Sequence, residues 1–285
     1  MNRQEILELQ KALVAIGHAL PRYGADGYMG DETVAAVKEW AGCAGMFLGD
    51  MTADDIPPEI ITAIIAQYAD LLSIDSLSTS PLVHDVREDA FKGVEHGRNP
   101  ISQIDTICLH QMAVKDSDSV SWERWRKLAI HWVVTCGDNA AAYLLHDMDV
   151  KVWHGHGWNK RSVGFEFEGY FSGIGTNERY FWKPKSRPGR KPMVPTPQQL
   201  QAGCDAVKAT VETIQQMGGA IKFIGAHRQS YGLKSSDPGE LIWKGVALPM
   251  MEEFNLEQAP TLSNKKHPGK PIPEAWDSRN IGVKY

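Results

Sequence analysis

Two histidines stand where extended segments end, an aspartate follows in the loop after the second, and two glutamates alternate along another extended segment. His110 closes "IDTICLH", in which Ile107 and Leu109 share one face and Cys108 and His110 the other. His227 closes "IKFIGAH" and opens the polar loop "GAHRQSYGLKSSDPGE", where Asp237 sits in an Asp-Pro-Gly turn. Histidines at the exits of two neighbouring strands can converge on one point. Two imidazoles and one carboxylate suit a catalytic zinc ion, which keeps a further position for water. Water on such an ion has a pKa near about 7, so hydroxide is available at neutral pH. The Pro238-Gly239 pair favours a defined turn that would hold the Asp237 carboxylate in place.

The segment "SVGFEFEG" alternates Val163, Phe165 and Phe167 with Gly164, Glu166 and Glu168. The apolar set would enter a core. The two glutamates would share the other face about 7 Å apart, with glycine beside them as an open cleft floor. A glutamate there could take a proton from an attacking water and pass it to a leaving amine. Paired carboxylates also fit an inverting glycosidase using Glu166 and Glu168. That alternative leaves His110, His227 and Asp237 without a role and puts acid and base on one strand face. The stretch "VWHGHGWNKRS" holds His154, His156 and Asn159 between tryptophans. A His-x-His pair can chelate a metal. A glycine-flanked aromatic loop equally suits contacts to sugar or peptide amides, and substrate contact is the expectation for it.

These residues need a scaffold. "HWVVT" and "AAYLLHD" add two more strands, while "SDSVSWERWRKLA" and "TPQQLQAGCDAVKATVETIQQMG" read as helices. In the second helix Thr196 caps, Pro197 takes the first position, Leu200, Val207, Val211 and Ile214 form a stripe, and Gly218-Gly219 ends it. The pattern is α/β, a mixed β-sheet flanked by helices, over residues 100–256. Before it, residues 1–73 hold three short helices. Ile6, Leu9 and Leu13 mark the first, Asp31 is expected to cap the second, and Pro57-Pro58 starts the third. Residues 74–99 read as a linker, and residues 257–285 as a proline-rich, irregular tail.

The chain has 285 residues, 42% hydrophobic and 23% charged, which suits two soluble domains. A net charge of −5 argues against a nucleic-acid partner, although "KPKSRPGRK" is locally basic. No apolar run is long enough for a membrane span, and the N-terminus is too polar for a secretory signal. Synthesis in the cytoplasm is therefore expected. The widely spaced Cys43, Cys108, Cys136 and Cys204 suggest reduced, mostly buried thiols.

Two resemblances join these parts. "LQKALVAIGHAL…DGYMGDETVAAVKEW" resembles the three-helix peptidoglycan-binding module found beside many cell-wall hydrolases, through Leu9, Gln10, Leu13, Gly17, Asp26, Gly27, Gly30, Thr33, Ala36, Val37 and Trp40. "ICLHQ", "IHWVVTCGDNAAAYLL", "WHGHGWNKRSVGFEFEG" and "GAHRQSYGLKSSDPG" together resemble, in the family's order, the type-2 N-acetylmuramoyl-L-alanine amidases, which share the peptidoglycan-recognition-protein fold. The resemblance implies Zn2+ held by His110, His227 and Asp237, Glu166 as the catalytic glutamate, and His154 and Asn159 lining the muropeptide cleft. His156, Glu168 and Arg228 are expected as further substrate contacts. Many relatives have a lysine two residues before the last ligand. Here Ser235 stands there and Lys234 one step earlier, so Lys234 is the expected oxyanion donor. Ile130 occupies a position where some relatives have tyrosine, which leaves Glu166 as the general base. Gln111, after the first ligand, has no evident role in the sequence. The implied activity cleaves the amide between N-acetylmuramic acid and L-alanine. A cell-lysis endolysin, monomeric and released to the wall by a pore-forming holin, is the implied setting. A non-catalytic recognition protein is the alternative.

Overall fold

The structure is a computed structural model. It describes every residue except 16, 17, 19, 21, 45, 47, 50, 51, 74–79, 114–121, 182–188 and 265. Most of the basic run at 183–191 and the first part of the helix expected at 117–129 fall outside the described residues. The chain divides into two compact units, one comprising Met1–Ser76 and the other most of Leu77–Tyr285.

The first unit holds α1 (Arg3–Ala15), α2 (Asp31–Cys43) and α3 (Pro58–Ser73). Leu9 and Leu13 of α1, Val34, Val37 and Trp40 of α2, and Ile60 and Ile64 of α3 form one buried cluster. Asp31 is not the cap of α2: Gly30 takes that place, and Asp31 is the first helical residue, where its charge suits the helix dipole. The polar residues of the loop are fastened by Gln10, whose side chain is buried. Its amide donates to Asp26 Oδ1, the Tyr28 carbonyl and Thr33 Oγ1 at 2.9–3.0 Å, and its oxygen accepts from the Gly27 N–H at 2.7 Å. Gly27 has φ +80°, a conformation that glycine adopts without penalty.

The second unit is built on a seven-stranded mixed sheet of order β1-β4-β3-β5-β2-β6-β7. Its strands are β1 (Val83–Asp85), β2 (Thr106–Gln111), β3 (Trp132–Val134), β4 (Ala142–Leu144), β5 (Ser162–Phe167), β6 (Phe223–Ala226) and β7 (Glu257–Gln258). Only β3 and β4 pair antiparallel; the other neighbours are parallel. Every residue of β2 is buried, as expected of a central parallel strand covered on both faces. β1 lies in the segment that composition marks as linker, and the three-residue β1 and two-residue β7 are too short to leave a periodic pattern.

The Pro197–Gln216 helix begins with Thr196 Oγ1 accepting the Gln199 N–H at 3.2 Å. Its buried stripe holds Val207 and Ile214, as expected, together with the small residues Ala202, Gly203, Ala206 and Ala209, while Leu200 and Val211 are half-buried. The reason lies in the sheet. Trp132 and Phe165 stack at 5.9 Å, Trp132 Nε1 donates to Thr210 Oγ1 at 3.0 Å, and a Cβ on Gly203 would lie 2.6 Å from the Phe167 ring. Large rings on the sheet require small residues on the helix.

Among the described residues after Gln258 there is no further regular element, yet the segment is packed: Ile272 and Trp276 are fully buried. Composition alone misses this. Cys108 is buried, whereas Cys136 and Cys204 are part-exposed. Among the described residues, no helix is long and apolar enough to cross a membrane.

Candidate active site

His110 lies one residue before the end of β2, and His227 begins the single helical turn that follows β6. β2 and β6 are parallel neighbours with Leu109 opposite Ala226, so both histidines leave the sheet at the same end. Asp237 returns in the loop after that turn, ahead of a cis bond to Pro238. All three side chains are buried, and their potential ligand atoms lie within 4.8 Å of one another. His110 Nδ1 is 2.8 Å from His227 Nδ1, which is 3.1 Å from Asp237 Oδ2.

The outer nitrogens are occupied. His154 Nε2 is 3.3 Å from the Ser162 carbonyl, which can only accept, so the His154 proton sits on Nε2 and Nδ1 is its lone pair. His110 Nε2 approaches that lone pair at 3.0 Å and must donate to it, which leaves His110 Nδ1 bare and aimed at His227 and Asp237. Burial holds the His110 imidazole well below its ordinary pKa, reinforced by His227, His154 and Lys234. His154 is held down by burial and by His131 and His227. Neutral imidazoles are the form that binds metal.

A divalent cation fits this arrangement. A tetrahedral ion with bonds of about 2.1 Å has edges of about 3.4 Å between ligands, close to the observed spacings. A bare imidazole lone pair, a second imidazole and a carboxylate oxygen crowded together are stabilised by positive charge. A second cluster, Cys108, His110 and His154, shares His110 through its other nitrogen. There the His110–His154 hydrogen bond already uses the facing nitrogen of each ring, and burial pushes the Cys108 thiol up, so the first cluster is the better host. It also borders open space: a cavity of about 280 Å³ is lined by Asp237, Lys234, Tyr231, Leu233 and Ala113, among others.

Glu166 of β5 lies directly opposite His110 in the β2–β5 register. Its residue is half-buried, but Oε2 is sealed from solvent and has no hydrogen-bond partner. Burial and then the Asp237 charge push its pKa up to about 8, against a lowering pull from Lys234.

Other expected contacts have different partners. Glu168 lies past the end of β5, is buried, and accepts the Cys136 N–H at 3.0 Å; it does not share an open floor with Glu166. The space over Gly164 is not open either: a Cβ there would lie 2.4 Å from His154 Nδ1, so the glycine makes room for the ring that orients His110. Asn159 is buried and its Oδ1 accepts the His154 and Gly155 N–H groups at 3.0 and 2.6 Å, stapling the loop. Arg228 is buried beneath the C-terminal segment, between the rings of Trp276 at 4.9 Å and Tyr285 at 4.8 Å, and donates to the Ser235 carbonyl at 2.7 Å. It supports the aspartate loop from behind. A tight turn and a packed tail claimed these polar groups, and neither is visible in residue spacing. His156 is exposed, with Nδ1 3.2 Å from His227 Nε2.

Gln111, uninterpreted in the sequence, ties the site together. Its side chain donates to the Phe171 and Ser236 carbonyls at 3.0 and 2.6 Å and accepts the Phe171 N–H at 2.8 Å. A polar residue at the buried end of a central strand is the signal that could have marked it.

Residues 100–240 match the family model described as N-acetylmuramoyl-L-alanine amidase. No curated protein matches the chain in sequence. Among solved structures, an endolysin N-acetylmuramoyl-L-alanine amidase, LysCS from Clostridium intestinale URNW, is 15% identical with a TM-score of 0.40, covering 63% of this chain and 99% of that one. Bumblebee PGRP-SA is 16% identical with a TM-score of 0.41, covering 64% of this chain and all of that one, 100%. The segment carrying the three convergent side chains is the one that matches the N-acetylmuramoyl-L-alanine amidase family model.

Proposed function

We propose that the chain is a zinc-dependent N-acetylmuramoyl-L-alanine amidase that hydrolyses the amide between the lactyl group of N-acetylmuramic acid and the first L-alanine of the stem peptide. The observation that carries this reading is the convergence of His110 Nδ1, His227 Nδ1 and Asp237 Oδ2 beside a cleft that Asp237 lines, with Glu166 in register beside His110. His110, His227 and Asp237 would hold Zn2+, which when bound acidifies water and polarises a carbonyl. Glu166 accepts the proton of the attacking water and returns it to the leaving amine. Its raised pKa suits both tasks near neutral pH. Lys234 lines the cleft and would stabilise the developing oxyanion, a contribution typically worth about 3 kcal/mol. The glycosidase reading needs a second free carboxylate, and the Glu168 carboxylate is engaged by a backbone N–H.

The three-helix unit would bind the wall, and the setting would be a phage endolysin acting on peptidoglycan after holin release. Mass spectrometry of digested sacculi tests the reaction. Free stem peptides with an L-alanine N-terminus are expected. Cleaved glycan with intact peptide linkages would overturn the proposal. Zinc-loaded protein that binds sacculi without releasing peptide would identify a recognition protein.

A further inference from the structure

We propose that His156 is a positioning residue that fixes the metal-binding tautomer of His227 and couples it to the wall of the cleft. This rests on the reading that His110, His227 and Asp237 hold the ion. His227 offers Nδ1 to the cluster and Nε2 to His156 Nδ1, 3.2 Å away. When the His227 proton lies on Nε2 it donates to His156 and leaves Nδ1 as a lone pair. When it lies on Nδ1 it meets Asp237 Oδ2 and His110 Nδ1, where it excludes a cation. An acceptor at His156 Nδ1 therefore biases His227 toward the state that binds metal.

Two further observations single out this residue. His156 has φ +52°, a left-handed backbone uncommon for a residue with a side chain, although glycines stand on both sides of it. Its ring lies flat on Tyr231, with centroids 3.9 Å apart and planes 11° from parallel. Tyr231 lines the cleft, and its N–H donates to the His227 carbonyl at 3.0 Å. One ring thus touches the ligand by its edge and the cleft wall by its face. A substrate that presses on Tyr231 acts on the orientation of His156, and through it on His227.

The test compares His156→Gly with His156→Asn. Glycine accepts the left-handed backbone and deletes the acceptor. Asparagine also tolerates that backbone, and its Oδ1 takes the place of histidine Nδ1. Zinc affinity is measured by competition with a chromophoric chelator, and melting is followed on metal-free protein. The glycine variant should bind zinc about 10–100-fold more weakly, with unchanged or higher metal-free melting, and asparagine should restore most of the affinity. Zinc binding by the glycine variant as tight as the parent's would overturn the inference and leave the ligand assignment standing. Equal losses in both variants, together with earlier metal-free melting, would overturn it in favour of a loop-holding role. A parent protein that takes up no zinc would overturn the ligand assignment, and this inference with it.

Discussion

The backbone N–H of Gln111 donates to Asp237 Oδ1 at 2.7 Å, which turns Oδ2 toward His227. The strand that delivers the first histidine thereby also aims the carboxylate, and the Gln111 side chain holds the preceding carbonyl, Ser236, at 2.6 Å. Asp237→Asn keeps an oxygen for Gln111 but removes the anionic donor. Zinc affinity should fall by more than the roughly 10–100-fold typical of losing an outer partner, with little change in metal-free melting. Asp237→Ala should also destabilise the metal-free fold by about 1–3 kcal/mol, because a buried N–H loses its acceptor. Metal analysis and denaturant unfolding of both variants check this.

Glu166→Gln should keep zinc and lose about 10²–10⁴-fold in turnover on sacculi. It also has a signature without metal. The folded Glu166 carboxyl titrates near about 8, above its ordinary value, so the folded state binds this proton more tightly than the unfolded chain. The stability contributed is complete below the unfolded pKa and is lost as pH rises through about 8. Metal-free Glu166→Gln should therefore gain stability relative to the parent as pH rises from 5 to about 9. Unfolding in the presence of a chelator at both ends of that range measures the gain.

His131 should make the fold acid-sensitive. Its Nδ1 accepts the Gly164 N–H at 3.0 Å and its Nε2 donates to the Val150 carbonyl at 2.8 Å, which uses the neutral ring completely. Burial pulls its pKa down to about 4. Between about 6.5 and 4 the unfolded chain takes up a proton that the folded chain refuses, so stability declines as pH falls through that window. His131→Gln should flatten this part of the stability curve even if it lowers the curve as a whole.

Trp276→Ala should cost about 3–5 kcal/mol, the range for removing a fully buried large aromatic side chain. The loss should reach the aspartate loop, because Trp276 covers the guanidinium of Arg228, which donates to the Ser235 carbonyl. Urea unfolding reads the first effect and a lower zinc affinity the second.

The sequence is most informative where periodicity is long. The Pro197–Gln216 helix is marked at both ends by Thr196-Pro197 and Gly218-Gly219, and "TICLHQ" and "SVGFEF" declare buried strands. The histidines can be placed at strand exits because alternation assigns their face. Partners reached through loops leave no such trace. Asn159 looks like a cleft residue until its Oδ1 is seen closing a backbone turn, and Arg228 looks like a substrate contact until the tail is seen above it. Strand β7 and the buried Trp276 lie in a segment whose prolines suggest only irregular structure, because composition cannot report a surface provided by the rest of the domain.

The packed tail bears on how this domain could be moved between proteins. Family resemblance ends at residue 240, yet Trp276 Nε1 donates to the Gly173 carbonyl and the Lys270 N–H donates to the Arg228 carbonyl at 2.8 Å. A graft cut where the resemblance stops would leave behind the residues that brace its own aspartate loop. The transferable module runs on through Tyr285, and chimeras that carry it whole should be the ones that fold.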